Sequence, residues 1–103
     1  MIDIKITETR DKIEVLIEGH AETRICSAIS ALSQTLILCI VSSSKDVIET
    51  YFPRDETDKS GRTEIIFPDG IKTGNGAGFY EFFKTGIIAI ANTYPDEVTL
   101  KIE

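Results

Sequence analysis

His20, the single histidine among 103 residues, stands six positions before Cys26 in the run Gly19-His20-Ala21-Glu22-Thr23-Arg24-Ile25-Cys26. Imidazole and thiol are the two groups a cysteine hydrolase requires: the ring takes the proton and the thiolate attacks. The run reads as the end of a strand, a short turn and the start of a helix, so local chain geometry can bring the pair together. By itself, a six-residue spacing is better read as a solvated surface histidine.

The two cysteines separate on helical geometry. Counted at 100° per residue, Ile25, Ala28, Ile29, Leu32, Leu36, Cys39 and Ile40 share one face, so Cys39 is expected in the core, where a thiol behaves as a small hydrophobe. Cys26 lies on the flank in one strip with Ser30 and Ser33. With Thr23 as N-cap, Cys26 is the third helical residue, where unpaired N–H groups and the macrodipole favour an anion, and Arg24 is a nearby cation. Cys26 is therefore the reactive candidate and His20 its partner. Ser30 reads either as a polar helix flank or as a hydrogen-bonding group for the site or a substrate. On one helix the thiols would stand roughly 20 Å apart, too far for a disulfide. One histidine and two cysteines do not make a closed zinc site, and no cofactor motif is present.

The elements that must position this pair follow from periodicity. Ile2, Ile4 and Ile6 alternate with polar residues, as do Ile13, Val15 and Ile17, which predicts an antiparallel hairpin. Val47 to Phe52 and Thr63 to Phe67 read as strands flanking an exposed turn from Arg54 to Arg62, whose Asp55, Glu56 and Asp58 form a solvated tip. The glycine cluster Gly74-Asn75-Gly76-Ala77-Gly78 lacks the lysine of a phosphate loop and leads into a second helix with the face Phe79, Phe82, Phe83, Ile87, Ile90 and Tyr94. Gly86 within it is expected to meet the first helix at Ala28 and Ala31. Pro95 stops the helix, and Val98 to Ile102 is the last strand. The result is one α+β domain over 1–103, ordered ββαββαβ, with two helices on a largely antiparallel sheet.

Composition narrows the function classes. Hydrophobic residues make up 42% and charged residues 27%, as in a globular protein, and the net charge of −6, with scattered Lys and Arg, argues against nucleic acid. The longest apolar run, Leu36 to Val41, is short for a membrane span, and the charged, alternating N-terminus is not a signal peptide, so a cytoplasmic location and no membrane partner are expected. Beyond Leu36 the first helix is apolar nearly all round, which predicts deep burial or a subunit interface.

Gly19-His20-Ala21 followed by Ile25-Cys26-Ser27-Ala28-Ile29-Ser30-Ala31-Leu32-Ser33-Gln34-Thr35 resembles the ribosomal-processing cysteine protease family, Prp or YsxB-like. The stretch from Ala89 to Val98, with Tyr94-Pro95-Asp96, is similar to that family's last helix and strand. The resemblance implies a homodimeric endopeptidase with Cys26 as nucleophile and His20 as general base, Gly19 and Ser30 lying on the substrate side. Its expected substrate is a polypeptide: the N-terminal extension of a large-subunit ribosomal protein or, for a phage or prophage relative, a capsid or scaffold protein. Two departures stand out. The family carries a longer glycine-bearing loop between histidine and cysteine, and an aspartate where this chain has Thr23. The shortened loop suits the alternative of an inactive Prp-like domain that binds the same class of polypeptide.

Overall fold

The computed structural model describes residues 1–10, 12–43, 49–51, 62–68 and 76–103. Its elements are β1 (Ile2–Glu8), β2 (Lys12–Gly19), α1 (Thr23–Ser43), β3 (Glu49–Tyr51), β4 (Thr63–Pro68), α2 (Gly76–Thr93) and β5 (Val98–Ile102), the order expected from periodicity. The expected turn over 54–62 lies outside the described residues except for Arg62, as do Gly74 and Asn75 of the glycine cluster.

Alternation dictates how the strands meet. β1 buries Ile2, Ile4 and Ile6 while Asp3 and Lys5 face outward, and β2 buries Ile13, Val15 and Ile17. In the antiparallel register Ile4 opposes Ile17 and Ile6 opposes Val15, so both apolar rows lie on one face. A slip of one residue would turn either row to solvent. Thr9 closes the hairpin, accepting from the Lys12 N–H and donating to its carbonyl through Oγ1 at 3.2 and 3.0 Å. β4 continues the face antiparallel to β2, with Ile65 opposite Val15 and Phe67 opposite Ile13. β5 runs parallel to β1, so the mixed five-stranded sheet has the order β3-β4-β2-β1-β5.

Among the described residues, both helices contribute to one apolar cluster with the strands. The inner stripe of α1 is Ile25, Ile29, Ser33, Leu36 and Ile40, all buried. By length and composition Thr23–Ile40 would pass for a membrane span, yet here the stripe packs on the core. Several expectations are corrected. Ala28 is exposed and Ser33 takes an inner position. The distal half of α1 is not deeply buried, because Leu38 is exposed while Ile37 and Cys39 are half-buried; of the two expectations for it, burial fails and a subunit interface is not contradicted. Cys39 is thus no core residue; it borders a small groove with Leu32, Phe79 and Phe82.

On α2 the inward residues are Tyr80, Phe83 and Ile87, whereas Phe82 is 72% exposed and Tyr94 is also exposed. The stripe 80, 83, 87 is as helical as the expected 79, 82, 83 set, but rotated so that the tyrosine faces in. Gly86 faces α1 as expected, but the neighbour is Leu32 rather than Ala28 or Ala31. A Cβ at Gly86 would lie 3.0 Å from Leu32 Cδ1, so the glycine is a seat for that side chain.

Candidate active site

β2 ends on Gly19 with φ +101°, the only positive φ among the described residues. A Cβ there would stand 2.2 Å from the Met1 carbonyl oxygen, so only glycine fits both the conformation and the space. The bend sends the chain away from the sheet at His20, whose carbonyl accepts from the Met1 nitrogen at 2.7 Å. The start of β1 thereby holds the backbone that carries the imidazole. The His20 residue itself is exposed.

α1 starts one residue earlier than its capping residue type suggests. Glu22, not Thr23, supplies the carbonyl for the first helical bonds, accepting from Ile25 and Cys26 at 2.9 and 3.1 Å. Thr23 is the first helical residue and Cys26 the fourth. The Cys26 N–H is therefore already bonded within the helix. Arg24 turns to Glu22 at 3.7 Å, with both side chains largely exposed, and does not line the pocket that Cys26 lines.

The thiol itself has two partners on one residue. The Ala21 N–H donates to Cys26 Sγ, and the S–H donates to the Ala21 carbonyl, both at 3.4 Å. The turn between strand and helix thus folds back over the sulfur, and Cys26 packs half-buried against the core. In this arrangement the S–H lies on the Ala21 carbonyl.

Gly19, His20, Cys26 and Ser30 all line one pocket of about 250 Å³. Sequence reasoning selected all four. It also put Ser33 in the strip with Cys26 and Ser30, and Ser33 lines the same pocket. The rest of the wall was not foreseen: Ile2, Ile17, Ile29, Gln34 and Thr63. Gln34 had a readable signal, being two helical turns beyond Cys26. Ile2, Ile17 and Thr63 come from three strands that only the sheet brings together. The lining is apolar at its isoleucines and polar along α1. Among the described residues no cluster of His, Cys, Asp or Glu has the makings of a metal site.

A strand-end histidine and a helical cysteine sharing one pocket are the parts of a thiol hydrolase. The sequence matches the family model of the cysteine protease Prp over residues 1–99. The chain belongs to the Prp cysteine protease family. A comparison with curated protein sequences gives no match. Among solved structures, the fold is similar to an essential ribosomal processing protease Prp from S. aureus in complex with a substrate peptide, at TM-score 0.81 and 17% identity over 100% of both chains. The same S. aureus protease with a covalently linked product peptide gives TM-score 0.80 at 18% identity, again over 100% of both chains. SMU.848 from Streptococcus mutans gives 0.78 at 23% identity, covering 99% of this chain and 96% of that one. At these identities the likeness is one of fold. The family match assigns the enzyme class, a cysteine protease.

Proposed function

We propose that this Prp family member is an endopeptidase with a His20–Cys26 dyad, acting on a specific polypeptide such as the N-terminal extension of a large-subunit ribosomal protein or a phage capsid or scaffold protein. The observation that carries the reading is that Gly19, His20, Cys26 and Ser30 line one pocket. The S. aureus protease of the same fold is a ribosomal processing enzyme that has been captured with substrate and product peptides.

The reaction follows from the two groups. The Cys26 S–H leaves the Ala21 carbonyl and passes its proton to the His20 imidazole, and the sulfur attacks the scissile carbonyl carbon. The bond electrons move onto the carbonyl oxygen. Collapse of that intermediate breaks the C–N bond, and His20 returns the proton to the leaving amine. Water, deprotonated by the same imidazole, then hydrolyses the thioester. Helix-start N–H groups are a poor oxyanion site here, because Ile25 and Cys26 already donate to Glu22 and neither Thr23 nor Arg24 lines the pocket. The Ala21 N–H lies beside the sulfur but donates to it, so it reaches an oxyanion only on leaving Sγ; one such donor is typically worth about 3 kcal/mol. Ser30 lies one turn beyond the nucleophile, where its hydroxyl meets the substrate backbone.

Exposed Leu38, Phe82 and Ile88 on the helices support a homodimer, to be checked by sedimentation. The S–H bond to Ala21 favours the second reading, a domain that binds the polypeptide without cutting it. Mass spectrometry of a peptide library separates the two. Wild type is expected to cleave it and Cys26→Ala to lose about 10⁴-fold or more in rate. Cleavage that persists in Cys26→Ala overturns the mechanism; binding without cleavage by wild type establishes the second reading.

A further inference from the structure

The chain keeps a backbone nitrogen against the Cys26 sulfur. Ala21 belongs to no helix or strand, and its N–H donates to Sγ at 3.4 Å instead of to a ladder carbonyl. The same amide is fixed from its other side, because the His20 carbonyl accepts from the Met1 nitrogen at 2.7 Å. Cys26 is half-buried, yet it lines the pocket of about 250 Å³, which has room for a small oxidant. An oxidised thiol is an electrophile, and a sulfenic acid condenses either with a second thiol or with a backbone nitrogen. The second thiol is out of reach here. Cys39 stands roughly 20 Å further along α1, beside a different groove, too far for a disulfide. The nitrogen of Ala21 is already in contact.

We propose that Cys26 is a reversible oxidation site, at which a hydroperoxide converts the thiol to a sulfenic acid and the Ala21 nitrogen then closes on the sulfur as a sulfenamide. In the first step the sulfur bonds to the terminal peroxide oxygen as the O–O bond breaks. Sulfur gives up two electrons, the peroxide is reduced, and the thiol proton leaves with the departing oxygen as an alcohol or water. In the second step the Ala21 nitrogen bonds to sulfur and the S–O bond breaks. Hydroxide leaves with the amide proton as water, and no further electrons are exchanged. A dithiol reverses the state: one thiolate attacks the sulfur, the S–N bond breaks and the nitrogen regains a proton. The second thiol then frees Cys26 as its S–H, and the dithiol becomes a disulfide. While the S–N bond stands, the sulfur has no thiolate to attack with and is held back from irreversible sulfinic acid. This chemistry requires no cleavage by the domain, so its failure leaves the endopeptidase reading standing.

The test uses the full chain and reads its covalent connectivity. Trypsin cuts after Lys12, Arg24 and Lys45, so Ala21 and Cys26 fall in separate peptides, residues 13–24 and 25–45. The first of these contains no cysteine, so no disulfide can join the two. The folded protein is treated with equimolar hydrogen peroxide, blocked with iodoacetamide, digested without reductant and analysed by mass spectrometry. The peptides are expected to be joined and lighter by two hydrogens than their sum, with fragment ions placing the bond between Cys26 Sγ and the Ala21 nitrogen. Dithiothreitol is expected to separate them and restore iodoacetamide labelling of Cys26. Oxidation in concentrated guanidinium is expected to abolish the joined species, because unfolding removes the nitrogen from the sulfur. Separate peptides with Cys26 carried on to sulfinic acid, a bond to the His20 imidazole instead of Ala21, or a joined species that forms equally in guanidinium each overturn the proposal.

Discussion

The two ends of β1 use polar groups in opposite ways. At the Glu8 end, Lys84 of α2 meets the carboxylate at 2.8 Å, with the two side chains only 22% and 27% exposed, and the ammonium sits 5.7 Å from the Tyr80 ring centroid. Side chain satisfies side chain across distant sequence, and the end is closed. At the Ile2 end, Ser33 and Cys26 bond to backbone carbonyls a few residues away, and the Met1 nitrogen donates to the His20 carbonyl. Local bonding of that kind leaves hydroxyl lone pairs and a sulfur facing a pocket. The contrast shows where chemistry is available: polar groups locked in mutual pairs build the fold, and those anchored by one short backbone bond remain able to meet a ligand.

The strongest way to break this comparison is Gly19→Ala. It forces a side chain into a positive φ and against a backbone oxygen, and is expected to cost about 3 kcal/mol in denaturant unfolding while displacing His20 and lowering cleavage. Gly78→Ala is the control, since nothing lies within 4 Å of its Cβ position; it should stabilise α2 by about 0.5 kcal/mol. An unchanged midpoint in Gly19→Ala would mean the open end carries no such constraint.

Next in size is Lys84→Met, which removes the ammonium from the half-buried Glu8 carboxylate. We expect a loss of about 1–2 kcal/mol in urea unfolding, because the pair is largely shielded yet not fully buried, with cleavage unaffected. A drop in kcat/KM would show that the two ends are coupled.

The smallest effect sharpens the closed end. Burial, and after it the Glu8 carboxylate, push the Tyr80 phenol well above the ordinary tyrosine value of 10.0. The folded state therefore favours the neutral phenol. The stability this contributes is complete below pH 10 and is lost as pH rises from 10 toward the folded-state value. Wild type should lose stability relative to Tyr80→Phe between pH 10 and 12 in parallel urea titrations. Coincident curves would remove Tyr80 from the cluster.

Much of this molecule was legible in local pattern. Alternation at Ile2, Ile4, Ile6 and Ile13, Val15, Ile17 determined the hairpin and its buried face, because a period of two leaves only one register that buries both rows. The helical count placed Cys26, Ser30 and Ser33 in the strip that borders the pocket, but it put Cys39 in the core, where the structure leaves it half-buried. The residues around His20 and Cys26 carried the family likeness. Periodicity says which residues share a face, but it does not say how that face is rotated against its neighbours. Tyr80 faces in and Phe82 out, and Leu32 rather than Ala28 meets Gly86, because those outcomes depend on the opposing surface. The thiol's bond to Ala21 and the convergence of Ile2, Ile17 and Thr63 likewise join residues whose meeting no local spacing encodes. The sequence by itself determined the candidate groups and the elements bearing them; only the tertiary structure decided what surrounds those groups, because a pocket wall is made of contacts between strands distant in the chain.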